Sequence, residues 1–229
     1  MKKVVIQFLF FLLMGQNCFP QEGVLGTWLA ATGNHPFTEK WAWAYETHYR
    51  TYDFLTNFNQ FLTGTSFHYA ISERNNYVAV GYTYLYADLY QNSKVIGNQQ
   101  EHRIYQQFIT RQKFGRLSVQ HRYRIEERFI ADFFRIRFRY QINLNVPLNH
   151  LSLIKNTVYW AAYNEIHLQT DHQIFNQDRL YSGFGFAFSS FLRLELGFMH
   201  QFFLQRDRNQ LILSFSNTLP FFRKDKNKL

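Results

Sequence analysis

Three observations predict an all-β chain, an antiparallel up-and-down transmembrane β-barrel of 10–12 strands preceded by a signal peptide. Bulky apolar residues alternate with polar ones along nearly the whole sequence. Aromatics make up 20% of the residues, 26 Phe and 15 Tyr among them, yet the mean hydropathy is slightly polar at -0.34. The chain also opens with a short apolar run behind two lysines. Alternation at period two puts successive side chains on opposite faces of a strand, and averaging over a window cancels the two faces. After residue 20 no apolar run is long enough for a spanning helix.

The opening MKKVVIQFLFFLLMG has the charged start and short apolar stretch of a signal peptide. Cleavage is expected at 20–22, giving a signal peptide over 1–21, a barrel over 22–222 and a basic tail over 223–229. The sole cysteine, Cys18, falls in the leader, and Gly15-Gln16-Asn17 is a poor fit to a lipidation site. The mature chain then has no thiol, which excludes disulfides and thiol catalysis. Few prolines and no linker-like run leave one domain.

Strand-like segments follow at 24–31, 40–52, 58–71, 76–88, 101–112, 116–129, 133–146, 151–168, 177–188, 191–203 and 208–221. The seventh, FFRIRFRYQINLNV, is the clearest. Phe134, Ile136, Phe138, Tyr140, Ile142, Leu144 and Val146 share one face, and Arg135, Arg137, Arg139, Gln141, Asn143 and Asn145 the other. Eleven segments sit badly with the even counts of bacterial single-chain barrels. Either VLGTWLAA stands outside the wall, giving ten strands, or one strand is missed or merged, giving twelve; 151–168 is long enough to hide a split. With a periplasmic C-terminus, the long breaks 89–100 and 169–176 fall outside the cell.

Alternation leaves open whether the apolar face lines a soluble barrel or meets lipid. Three features favour lipid. The segments suit a tilted span with some overhang. Trp41, Trp43, Tyr90, Trp160 and Tyr181 sit towards segment ends, as interfacial girdles do. Arginine dominates the polar face, whereas between 40 and 210 lysine is confined to Lys40, Lys94, Lys113 and Lys155, mostly near breaks. A water-bathed surface mixes Lys and Glu freely, whereas arginine suits a confined space where one cation shares several partners.

The main candidate constellation is therefore a lumenal charge network: Glu46, Arg103, Arg122, Arg124, Glu126, Arg128, Arg135, Arg137, Arg139, Glu165, Arg179, Arg193 and Glu195. It reads either as a salt-bridge filling of a narrow barrel or as an anion-passing lumen. Among histidines, His48, His102 and His167 could face inward, and Asp171-His172 falls in an external loop. No Ser-His-Asp grouping or metal-ligand spacing stands out, so no catalytic residue, metal or cofactor is assigned. Nucleic acid is not an expected partner. Lys2 and Lys3 lie in the leader and FRKDKNKL carries a net three positive charges, so only +4 of the formal +9 belongs to the body. The tail cations Arg223, Lys224, Lys226 and Lys228 suit a solvated end or anionic headgroups, and LPFF at 219–222 offers a terminal aromatic to barrel assembly machinery.

Taken together, NQQEHRIYQQF, HRYRIEERF, RIRFRYQI, YNEIHL, FNQDRLYSGFGF and LELGFMHQF resemble the domain of unknown function 2490 family. The similarity covers nearly all of the mature chain and is strongest over 98–203. The resemblance implies an outer-membrane β-barrel-like protein of Bacteroidetes-type bacteria and carries no established activity. The expected location is the bacterial outer membrane, reached by signal-directed export. The expected partners are its lipid, the assembly machinery and a small anion. The expected role is structural, or a narrow transport barrel with an Arg/Glu-lined lumen. The alternative is a barrel enzyme acting on lipid or peptide at the outer rim, and a secreted soluble barrel is a third reading.

Overall fold

The computed structural model describes residues 25–221 apart from 73, 74, 92, 93, 132, 172, 205 and 206. The predicted leader, Cys18, His172 and the basic tail lie outside the described residues. Eleven strands are present: β1 (Leu25–Pro36), β2 (Trp41–Thr51), β3 (Phe58–Ala70), β4 (Asn76–Gln91), β5 (Lys94–Phe114), β6 (Leu117–Ile130), β7 (Phe133–Pro147), β8 (Thr157–Gln169), β9 (Phe175–Ala187), β10 (Leu192–Phe202) and β11 (Arg208–Asn217). No helix occurs among the described residues.

Each strand pairs antiparallel with the next, and β1 closes the barrel against β11. That closing pair is parallel, from Leu25 beside Asn209 to Gly33 beside Asn217. The expected all-antiparallel wall of ten or twelve strands is thereby corrected. The first segment stands in the wall, and no further strand occurs among the described residues. The reason is topological: strands of a meander reverse at every turn, so the first and last of an odd number run the same way. Parallel bonds are slanted but evenly spaced. The seam has nine register pairs, as many as β1 makes with β2, so it is a full part of the wall.

Side-chain parity then sorts the residues. On β7, Phe134 and Phe138 are 55% and 45% exposed, whereas Arg137, between them in sequence, is 5% exposed and points into the lumen. The same opposition holds on β6, where Ile125 and Phe129 face out while Arg124, Glu126 and Arg128 are buried inside. The apolar face is the outer face.

One mouth of the barrel carries Leu25 and the other Pro36; with a parallel seam, Asn217 ends at the Pro36 mouth. β1 is tied at both of its ends, to β2 and the loop after it at one mouth and to the segment after β11 at the other. At the Leu25 mouth the Thr27 N–H donates to Thr51 Oγ1 (3.2 Å), and Thr27 Oγ1 accepts from the Leu55 N–H (3.1 Å). At the Pro36 mouth the Phe221 N–H donates to the Pro36 carbonyl (2.8 Å), and the His35 Nδ1–H donates to the Leu219 carbonyl (2.8 Å). The Phe221 ring also stacks on His35 with centroids 4.5 Å apart.

Two loop expectations are corrected. The longest connection joins Pro147 to Thr157, at the opposite mouth from 169–176. Residues 151–156, read as strand for their apolar content, belong to it. The Asn149 side-chain amide donates to the Asn156 carbonyl (2.9 Å), its oxygen accepts from the Val158 N–H (3.0 Å), and Asn156 adopts φ 62°. Side chain-to-backbone bonds of this kind replace the ladder. The stretch 89–100 is mostly ladder: β4 loses β3 beyond Ala87 and β5 gains β6 only at Glu101, so 88–91 and 94–100 project from the Leu25 mouth as a two-stranded extension. Tyr90 holds it, donating to the Phe58 carbonyl (2.8 Å).

Tyr181 is a further correction. It is 1% exposed and lies in the lumen, whereas Trp41, Trp43 and Trp160 point outward. Its ring lies flat on the inner wall over Gly183 and Gly197. A Cβ on Gly197 would stand 2.5 Å from that ring, and one on Gly183 would meet the Leu196 carbonyl at 2.6 Å.

Candidate functional site

Strand register assembles the lumenal charges. Across β6 and β7, Glu126 faces Arg137 and Arg124 faces Arg139; across β8 and β9, Glu165 faces Arg179. Opposed residues on one face of a sheet are the pairs whose side chains meet. Three carboxylates, none more than 2% exposed, each hold several guanidinium groups.

Glu101 takes Arg103 as a fork, Nε to Oε1 at 2.7 Å and Nη2 to Oε2 at 3.1 Å, and also takes Arg128. Glu126 accepts from Arg137 and from Arg139 Nη1 (2.6 Å), with Arg124 at 3.5 Å. Glu165 accepts from Arg139 Nη2 (2.6 Å), Arg122 (2.6 Å) and Arg179 (3.2 Å). Arg139 thus ties Glu126 to Glu165. The Gln177 amide donates to His167 Nδ1 (2.9 Å), which leaves His167 Nε2–H to donate to Glu165 (2.9 Å). Glu46 is held more loosely, with Arg124 and His48 each at 3.5 Å.

Not every residue of the predicted constellation joins this network. Arg135 sits at the Leu25 mouth, 39% exposed by side chain, and pairs with Asp171 at 3.1 Å. Glu195 accepts from the Tyr181 hydroxyl (2.8 Å), and Arg193 makes no ion pair among the described residues. Of the histidines, His48 and His167 point inward. His102 is on the outer face, where its Nδ1 lies 2.6 Å from the Tyr82 hydroxyl. Its parity is that of Ile104 and opposite to Arg103, which the sequence already carried.

Glu101 and Arg50 were missed. Glu101 opens its segment with the parity of Arg103, and Arg50 has that of Glu46 and His48, so parity alone could have found both. Arg50 donates to Gln60 Oε1 (2.9 Å), and its guanidinium carbon lies 3.5 Å from the centre of the Trp28 ring. Trp28 in turn donates from Nε1 to His48 Nδ1 (2.9 Å).

The lumen therefore has unlike sides. The charge network spans β5 to β9. An apolar cluster of Trp28, Tyr159, Ala161, Tyr181, Met199 and Ile212 occupies the side nearest the seam. Between them lies a cavity of about 700 Å³, whose lining runs from Asn59 and Arg208 at the Leu25 mouth to Asn145 and Thr218 at the Pro36 mouth. Ten arginines line it; against them stand Glu46, Glu165 and Glu195 in the lining and Glu101 and Glu126 just behind it, so cations still outnumber carboxylates. Such a lining favours anions.

Hydroxyl–imidazole pairs occur at Ser66 and His68 (3.0 Å) and at Thr157 and His150 (3.2 Å). Neither imidazole has a carboxylate partner among the described residues, so neither pair has the group that orients a general base. No group of three or more His, Cys, Asp or Glu among the described residues could hold a metal ion.

No curated protein and no solved structure matches the chain. One family model does, over residues 25–211, from the first strand into the last, and its description is a protein of unknown function. Since that match takes in most of the barrel wall, the chain belongs to the DUF2490 family.

Proposed function

We propose that this protein is an integral outer-membrane β-barrel whose arginine-lined lumen gives small anions a narrow way through. The observation that carries the reading is the orientation of the two faces. A sheet with phenylalanine, isoleucine and leucine over its outer wall is costly in water, and patches far smaller than this one mark contact surfaces. In a bilayer the same surface is the favourable one, and closure leaves no unpaired edge to bury in hydrocarbon. Strands of 10 to 21 residues meet the 9–11 that a tilted span needs.

The anion component rests on the continuous cavity and its surplus of arginine over glutamate. The salt-bridge network fills one side of the lumen and braces the wall, and it leaves open the space between itself and the apolar cluster. The signal-peptide-like opening of the sequence, MKKVVIQFLFFLLMG, supports the outer-membrane location.

The test has two parts. The refolded chain should float with lipid vesicles through a density gradient, and in a planar bilayer it should give small, steady, anion-selective currents. Recovery of the folded protein in buffer without lipid refutes the membrane reading. Flotation with no current refutes passage and leaves a structural barrel.

A further inference from the structure

Buried guanidinium groups are expected to have their N–H donors satisfied. Here the Nε atoms of Arg50, Arg122, Arg179 and Arg193 are buried with no hydrogen-bond partner among the described residues, and all four residues line the cavity. Arg50 and Arg179 stand out, because each is 8% exposed and both lean on one indole. Their guanidinium carbons lie 3.5 and 5.3 Å from the centre of the Trp28 ring. Two groups that share a ring in this way are within about 9 Å of each other. Arg50 makes no ion pair among the described residues, and Arg179 shares Glu165 with Arg122, Arg139 and His167.

Two buried like charges at this separation repel, and one carboxylate already divided among four partners offsets little of that. Trp28 accepts both cations on its face, but its ring carries no formal charge. What the arrangement lacks is a negative group with several acceptor oxygens, placed at the cavity side of Arg50 and Arg179. The unused Nε is one prong of the fork with which arginine holds carboxylate and phosphate.

We propose that Arg50 and Arg179, backed by Trp28, form a binding site for the carboxylate or phosphate group of a small soluble anion. The inference rests on the anion-passing reading above and gives it a resting place: the anion is held where the lumen is most short of negative charge. The apolar cluster behind Trp28 excludes water from that side and strengthens the attraction. The cavity, at about 700 Å³, admits an organic acid or sugar phosphate as readily as the inorganic ion.

The experiment uses the full chain folded in detergent. The urea midpoint of unfolding is followed while sodium phosphate, and separately sodium succinate, replaces sodium chloride at constant ionic strength. The expected result is a saturable rise with at least one of the two oxyanions. Arg50→Met should abolish that rise while leaving the variant, in chloride alone, at least as stable as the parent, because it removes a cation without a carboxylate partner. A purely structural Arg50 predicts the reverse, a lower midpoint in chloride. Equal behaviour in phosphate, succinate and chloride overturns the site, as does an unchanged response in Arg50→Met. Should that variant not fold, the titration of the parent stands by itself and Arg179→Gln replaces it as the control. Failure here leaves vesicle flotation unaffected, and failure to float leaves a barrel whose lumen can still be titrated.

Discussion

Replacing Glu165 by glutamine removes one negative charge and almost no volume. In the parent, the Glu165 carboxylate accepts from Arg122, Arg139, Arg179 and His167 at 2.6 to 3.2 Å while only 2% exposed. Arg139 keeps Glu126 after the change, at 2.6 Å. The loss therefore falls on Arg122 and Arg179, which have no other carboxylate among their ion pairs, and on His167, whose Nε2–H loses its charged acceptor. The new amide also turns N–H groups towards N–H groups. Breaking a buried ion pair by removing one partner costs about 3–5 kcal/mol, and two guanidinium groups are stranded here, so the expected loss lies at the upper end of that range. Urea unfolding of the folded barrel measures it. Glu195→Gln is the internal control: Glu195 is bonded by the Tyr181 and Tyr159 hydroxyls and makes no ion pair among the described residues, so about 1–2 kcal/mol is expected. Equal losses in the two variants would refute the idea that Glu165 is the keystone of the charge network. Adding Arg179→Met to Glu165→Gln should return part of the lost stability, because it removes one of the stranded cations.

Two further outcomes follow from the wall itself. Gly197→Val should cost about 1–3 kcal/mol, because its Cβ would stand 2.5 Å from the Tyr181 ring, and the urea midpoint of unfolding should fall accordingly. Ala30→Cys with Ser214→Cys should cross-link on oxidation of the folded protein, since these residues are register partners across the parallel seam. A ten-strand barrel closing β2 onto β11 would leave that pair unlinked.

The wall was legible in the sequence because alternation is a local property. All eleven segments correspond to strands, and the parity of Phe134 against Arg137 gave the two faces before any pairing was known. Closure is not local. The seam is made of backbone N–H and C=O groups that any residue supplies, so nothing in VLGTWLAA announces a parallel partner nearly two hundred residues away. Residues 151–156 misled for a related reason: LSLI has strand-like content, and the competing bonds come from Asn149 and Asn156, whose side chains and φ no apolar pattern reports. Tyr181 was ambiguous because tyrosine suits an interfacial girdle and a polar lumen equally; its shared parity with Arg179 was the better guide. The network's partners depend on which strands lie side by side. A consecutive meander supplies that, so Glu126 with Arg137 could be inferred, whereas the meeting of Trp28 with Arg179 needs the curved, closed wall.

An odd count has a consequence for how such a molecule can change. The first strand starts and the last strand ends on opposite rims, so a short linker cannot join them as it can in a barrel with an even count. Circular permutation would need a linker long enough to span the wall. Growth by whole hairpins leaves the parity untouched. The same-direction closure would therefore be passed to any enlarged descendant, and only the gain or loss of a single strand could erase it.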